Sequence, residues 1–207
     1  MRIILASTSP RRRELIKKIT PDFECIPSCV DEQAVEERVE KGGGYASEAE
    51  LAGLLVRALS REKALDVFGR LEDNENVLVI GADTVVCLSN EILGKPKDRA
   101  DAVRMLRAQS REPQRVITGV SFIFSGKEGT NIRTFTEETL VYFYPLDEEQ
   151  EARIQAYCDT EEPYDKAGAY GIQLGGNALV ERYEGDFDNI VGFPIKRIKH
   201  ELQELLG

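Results

Sequence analysis

The sequence has no tryptophan, a single histidine and only four cysteines among its 207 residues. One histidine leaves a Ser-His-Asp triad nothing but His200 to work with, and that residue sits near the end of a C-terminal stretch with helical spacing, a poor place for a catalytic base. The thiols, Cys25, Cys29, Cys87 and Cys158, include one CxxxC spacing. With a lone distant histidine they read as buried or half-buried thiols of a reducing compartment rather than as a zinc site. Positive charge is also short: 27 Lys and Arg face 37 Asp and Glu, a net charge of −10, which excludes the basic stripe of a general nucleic-acid binder. An anionic ligand therefore has to be caught by a local cluster of cations. Long apolar runs are missing too. None approaches the roughly 20 residues that span a bilayer, and Ile3 to Ala6 is too short for the core of a secretory leader and runs into Arg11-Arg12-Arg13. A cytoplasmic protein without a membrane partner is the expectation. The phosphate-binding patterns GxxxxGK[ST] and GxGxxG are absent, so neither a P-loop nor a dinucleotide fold is supported.

What is present describes a globular chain. At this length roughly 70% of the unfolded surface can be buried, and 42% hydrophobic residues suffice to fill such a core. Arg2 to Leu5 reads as a short buried strand. Ser7-Thr8-Ser9-Pro10 then supplies cap residues with proline at a first helical position, which predicts a helix to about Ile19. Pro21 to Pro27 resembles a second short strand, Val30 to Lys41 is acidic, and Gly42-Gly43-Gly44 marks a loop or insertion. Apolar residues at helical spacing from Tyr45 to Phe68 predict one long helix ended by Gly69. Val77 to Leu88 is a buried strand interrupted by Asp83 and Thr84, turning at Ser89-Asn90-Glu91 into Ile92-Leu93. Asp98 caps a helix to Ala108. Val116 to Phe124 and Thr134 to Tyr144 alternate as a hairpin around Ser125 to Gly129, Asp147 to Cys158 is helical, Pro163 to Gly176 is a polar glycine-rich loop, Ala178 to Tyr183 a strand and Pro194 to Leu206 the last helix. Alternating helices and strands without repeats predict an α/β domain with a mixed sheet.

Three stretches carry candidate chemistry. Ser7 and Arg11-Arg12-Arg13 lie where a strand hands over to a helix, so backbone N–H groups, a hydroxyl and guanidinium groups converge either on a phosphate chain or on solvent. Cations at a helix N-terminus oppose its dipole, which favours the anion. Asp83 stands inside Val77 to Val86, where an unpartnered buried carboxylate costs several kcal/mol; it needs a metal, a cation or a task, or else marks a strand end that meets solvent. Lys63 and Lys95 offer cations and Glu32 a second carboxylate, although each alone is as compatible with a solvated surface. The glycines of Asp165 to Gln173 allow close approach of a ligand, and the Gln173 amide reads a base edge with donor and acceptor, or the segment is a simple loop.

Taken in order, Ile4-Leu5-Ala6-Ser7-Thr8-Ser9-Pro10-Arg11-Arg12-Arg13-Glu14-Leu15, Val30-Asp31-Glu32, Arg61-Glu62-Lys63-Ala64, Gly81-Ala82-Asp83-Thr84-Val85-Val86, Gly94-Lys95-Pro96, Thr118-Gly119-Val120, Asp165 through Gln173 and Asn189-Ile190-Val191-Gly192-Phe193-Pro194 resemble the Maf proteins, nucleoside triphosphate pyrophosphatases once described as septum-formation inhibitors. The resemblance spans nearly the whole chain, as one domain over residues 1–207. It implies an elongated mixed sheet flanked by helices, with two lobes and a central cleft, similar to the inosine triphosphate pyrophosphatases. It also implies hydrolysis of a nucleoside triphosphate to the monophosphate and pyrophosphate with a divalent metal, usually Mg2+, with Mn2+ as a second choice. By the same resemblance Asp83 is the proton acceptor, Glu32 and Asp83 hold the metal, and Ser7, Arg11, Arg12, Lys63 and Lys95 contact the phosphates. Arg12, Thr84 and Gln173 match the branch acting on dTTP and UTP, with CTP or modified pyrimidines also open; the branch acting on 7-methyl-GTP carries Gln after the aspartate. Family members often pair as homodimers. Two other functions fit the same resemblance: a house-cleaning enzyme for modified nucleotides, and a nucleotide-binding regulator of cell division. The sequence departs from the family pattern in a longer segment between Glu32 and Lys63 and in Phe193, where leucine is common.

Overall fold

The computed structural model describes residues 1–127, 129–173 and 175–206. The chain runs β1 (Arg2–Ala6), α1 (Pro10–Ile16), β2 (Glu24–Cys25), α2 (Glu32–Gly42), α3 (Glu48–Gly69), β3 (Val77–Cys87), β4 (Ile92–Leu93), α4 (Arg99–Gln109), β5 (Gln114–Gly126), β6 (Gly129–Phe143), α5 (Glu148–Cys158), β7 (Val180–Glu184), α6 (Phe187–Ile190) and α7 (Ile195–Leu206). The strands form one mixed sheet in the order β2-β1-β3-β5-β6-β7, with β4 added to the free side of β3. β1 is parallel to β2 and β3; the other pairs are antiparallel.

Side chains alternate across a strand, and β3 divides its residues between two cores accordingly. Val77 and Val79 pack with Ala64 and Val67 of α3. Leu78, Ile80, Ala82 and Val86 face the larger core, which gathers Leu15 and Ile16 of α1, Leu106 of α4, Ile154 of α5 and Ile198 of α7. The α3 side is packed backbone to backbone. A Cβ on Gly81 would lie 2.1 Å from the Ser60 carbonyl oxygen, and one on Gly119 2.2 Å from that of Val56. Only glycine allows α3 this close, and the close approach brings Lys63 within reach of the sheet.

The break that makes the cleft is written in the strand register. β1 covers one edge of β3 from Val77 to Gly81, and β4 covers it again only at Val86 and Cys87. Between them, Ala82 to Val85 of β3 have no strand on that side among the described residues. The turn Ser7–Pro10 leaves β1 at this gap, and Gly94-Lys95 leaves β4 there.

Several boundaries differ from the sequence reading. β3 is one continuous strand, since Asp83 and Thr84 keep their places opposite Gly119 and Thr118 of β5; polar residues at a sheet gap do not interrupt the ladder on the other edge. α1 stops at Ile16, with Lys17 to Ile19 in a turn. β2 is two residues long, and the acidic stretch after Val30 is the helix α2, capped by the Asp31 side chain. The hairpin turn includes residue 128 and the glycine-rich loop residue 174, both outside the described residues. Cys87 and Cys158 are buried as expected and Cys25 is half-buried, but Cys29 is exposed. No helix is long and apolar enough to cross a membrane.

Candidate active site

At the sheet gap lies a cleft of about 830 Å³, and Ser7, Arg11, Arg12, Glu32, Lys63, Asp83, Thr84, Lys95 and Gln173, nine residues from six separate stretches of the chain, all line it. Ser9 caps α1 by accepting from the Arg12 amide, Pro10 fills the first turn, and no acidic residue occupies that turn. The Ser7 hydroxyl, itself mostly buried, accepts from the Ser9 amide at 3.1 Å and so holds the β1–α1 turn open toward the cleft.

The two faces of β3 supply two different halves of the site. On the α3 face, Asp83 is 9% exposed in mid-strand, which settles the strand-end alternative against it. Its carboxylate meets the Lys63 ammonium at 2.7 Å, and the same ammonium meets Glu32 at the start of α2 at 2.8 Å. Lys63 is 7% exposed. An ion pair this deep repays its desolvation only with good geometry, and two carboxylates on one ammonium provide it. Glu36 and Glu40 follow Glu32 at helical spacing and also face the cleft. Burial pushes the Glu36 carboxyl above its usual value, and the charges of Asp83, Glu32 and Glu40 push the same way. The region is therefore rich in negative charge and poor in countercharge.

On the opposite face, Thr84 accepts a hydrogen bond from Arg12 Nη2 at 2.9 Å, while Arg12 Nε donates to the Gly192 carbonyl at 2.9 Å. Burial lowers the Arg12 guanidinium from its ordinary value, with Asp83 acting against that shift. Arg11 and Lys95 reach the cleft without a salt-bridge partner within 4 Å among the described residues. Gln173 is exposed at the rim. Its loop is fastened by Gln109 of α4, which donates to the Gly168 carbonyl at 2.7 Å, and by the Gly168 amide on the Gly94 carbonyl at 3.1 Å. Gly168 has φ +70°, which favours glycine, and a Cβ there would stand 3.1 Å from Val86 Cγ1.

Sequence reasoning assigned no role to Thr118, Gly192, Glu36, Glu40 or Lys166, although Lys166 lies against the cleft with its ammonium on the Glu162 carbonyl and Asp165. Glu36 and Glu40 were detectable as continuations of Glu32 at four-residue spacing. Thr118 was not, because it meets Thr84 through sheet register.

Hard carboxylate oxygens suit a divalent cation such as Mg2+, which takes one or two carboxylates plus substrate phosphates rather than an all-protein cage. Glu32 and Asp83 fit that requirement, since both already converge on one cationic group, Lys63. Among the described residues no group of three or more His, Cys, Asp or Glu is placed to hold a metal by itself.

The fold and cleft define an α/β protein with a carboxylate half and a guanidinium half set at one break in a mixed sheet. A family model described as Maf-like protein matches residues 2–205, and the chain belongs to that family. It is 43% identical over 198 residues to the dTTP/UTP pyrophosphatase of Thermosipho africanus, covering 96% of this chain and 90% of the relative. The dTTP/UTP pyrophosphatase of Carboxydothermus hydrogenoformans is 41% identical, with 99% and 98% covered, and that of Acetivibrio thermocellus 44% identical, with 99% and 95% covered.

Proposed function

We propose that this chain hydrolyses dTTP and UTP to the monophosphate and pyrophosphate. The observation that carries the reading is the convergence of nine family-matched residues on one cleft, with Asp83 in mid-strand at its floor. Near-full-length relatives named for that activity support the substrate pair.

Asp83 accepts the proton of the attacking water as the oxygen adds to phosphorus, and the pyrophosphate leaves as the α–β bridging bond breaks. Arg11, Lys95 and Ser7 face the polyphosphate from α1, the β4 exit and the β1 turn. Their fixed positive ends balance charge that grows on the leaving group, which costs least when the donors are already in place. Lys63 holds Asp83 and Glu32 together and shares its ammonium with the phosphates. Glu32 and Asp83 are the residues that would hold Mg2+ or Mn2+. When bound, the divalent ion supplies charge neutralisation on the phosphates. Arg12, assigned to the phosphates as well, faces the base together with Thr84 and Gln173: a pocket of polar groups rejects a base that leaves them unpaired. The reading assigns the reaction to the cytoplasm, which the free thiols Cys25, Cys29, Cys87 and Cys158 support, and includes a homodimer.

The test is pyrophosphate release from a panel of dTTP, UTP, CTP and the purine triphosphates with Mg2+, beside an Asp83→Asn control. Release from dTTP and UTP that the control lacks is the expected result. Silence on every triphosphate would overturn the reading.

A further inference from the structure

Two family-matched motifs, Thr118-Gly119-Val120 and Asn189 to Pro194, carry no role in the mechanism above, yet both end at the same side chain. We propose that Thr118 and Asn189 are positioning residues for Arg12, acting through Thr84 and Gly192 to set which way its guanidinium faces the base. The inference rests on the reading of Arg12 and Thr84 as base-selecting residues.

Counting protons and comparing distances orders the network. A guanidinium only donates, so the Thr84 hydroxyl accepts from Arg12 and must place its own proton elsewhere. The nearest acceptor is the fully buried Thr118 hydroxyl at 3.0 Å, directly opposite in the β3–β5 register. Thr118 in turn lies 3.5 Å from the Asn189 carbonyl, to which it donates. The shortest contacts thus link Arg12 through Thr84 and Thr118 to the backbone of Asn189. The second acceptor of Arg12, the Gly192 carbonyl, belongs to the same segment. That segment is nailed to the sheet by the Asn189 amide, which donates to the Val116 carbonyl and to the Thr139 hydroxyl, both at 3.0 Å. Gly192 has φ +102°, and a Cβ there would stand 3.2 Å from the Thr84 hydroxyl, so glycine is what allows its carbonyl to reach Arg12 beside Thr84.

Removing the Thr118 hydroxyl leaves the Thr84 proton only the Gly192 carbonyl at 3.5 Å, which also accepts from Arg12 Nε. To shorten that long contact Thr84 rotates toward Gly192, which weakens the hydrogen bond it accepts from Arg12. A long side chain held at both ends loses one hold and regains rotamer freedom, and a planar fork reads a partner only while its plane is fixed.

The experiment compares Thr118→Val with Thr118→Ser by two readouts. The first is the rate at which phenylglyoxal modifies Arg12 in the free protein, followed by peptide mass mapping. Thr118→Val should raise it about fivefold, the change that accompanies one ordinary hydrogen bond, and Thr118→Ser should return it close to wild type. The second is the ratio of kcat/KM for dTTP and UTP to that for dATP and dGTP, expected to fall about fivefold through KM with kcat nearly unchanged. Asn189→Ala should move both readouts the same way; if it does not fold, the Thr118 pair decides. A folded Thr118→Val with wild-type Arg12 reactivity and base ratio overturns the inference, as does failure of Thr118→Ser to restore them. Should the wild type release no pyrophosphate, the functional reading falls while Arg12 reactivity still decides the positioning.

Discussion

Asp83 and Thr84 are neighbours in one strand, yet they belong to different halves of the site. The pleat sends Asp83 to the α3 face, where Lys63 and Glu32 wait, and Thr84 to the face of α1 and the Asn189–Pro194 segment, where Arg12 and Gly192 wait. A closed sheet would keep such residues on opposite sides of a wall. Here β1 ends at Ala6 and β4 begins pairing only at Val86, so both faces open into one cleft. The comparison teaches how the proposed function divides its labour: charge chemistry on one face and base recognition on the other, joined by a gap four residues long on one edge of β3.

The sharpest way to break that division is to change the two neighbours separately. Asp83→Asn removes the proposed proton acceptor at constant volume and should lower kcat for dTTP by about 10³-fold, while the buried Lys63 ammonium, left with Glu32 as its carboxylate, lowers the melting temperature. Wild-type kcat in that variant would move the base elsewhere. Thr84→Gln and Gln173→Ala should instead change the ranking of triphosphates by about tenfold, the range one or two polar contacts supply. An unchanged ranking in both, measured by competition between dTTP, UTP and purine triphosphates, would separate base recognition from this face.

Gly81→Ala attacks the framework of the charged half alone. Its Cβ would meet the Ser60 carbonyl at 2.1 Å, backbone that cannot swing aside, so α3 must lift and carry Lys63 with it. We expect about 3 kcal/mol of destabilisation by urea titration, the upper range for overpacking. A well-folded Gly81→Ala protein should also lose activity through Lys63 and Asp83, while Arg12 keeps its hydrogen bonds to Thr84 and Gly192. Equal loss of both halves would show that the faces are not independent.

Much of this was legible in residues and some was not, for physical reasons. Caps announce themselves locally: Ser9 before Pro10 and Asp98 before its helix accept the expected amides, and Asp147, read as the first residue of its helix, proves to be that helix's cap. Hydropathy located the long helix α3 to within three residues and β1, β3, β4, β5 and β7 about as well, whereas β6 starts at Gly129 rather than Thr134 and β2 shrinks to Glu24–Cys25. It failed at Asp83, because a polar pair in an apolar run looks like an interruption when only one edge of the strand is exposed. It also passed over α2, whose only buried residue is Val35, leaving too thin an apolar stripe to read. The site residues came from motif order, which the sequence displays. Their pairing did not, because the Thr84–Thr118 and Lys63–Asp83 contacts depend on register and on how closely Gly81 and Gly119 admit α3.

The smallest expected effect tests the charge balance of the acidic half. Glu32, Glu36 and Glu40 succeed one another at four-residue spacing on α2, and like charges so placed on a helix each cost roughly 0.2–0.5 kcal/mol. Burial first, then the neighbouring carboxylates, hold the Glu36 carboxyl above its usual value. A carboxyl raised in the folded state binds its proton more tightly there than in the unfolded chain, so its contribution is present at acid pH and is lost as pH rises through the raised value. Ionised Glu36 therefore weakens the fold near neutrality. Glu36→Gln should raise the melting temperature at pH 7 by about 1 °C, with the gain vanishing below about pH 4, where the wild-type carboxyl is itself protonated. Added Mg2+ at pH 7 should narrow the same difference, because a cation held by Glu32 and Asp83 offsets the charge that Glu36 feels. A gain that persists at acid pH would trace the effect to helix propensity instead, and the acidic half would then be balanced by Lys63 alone.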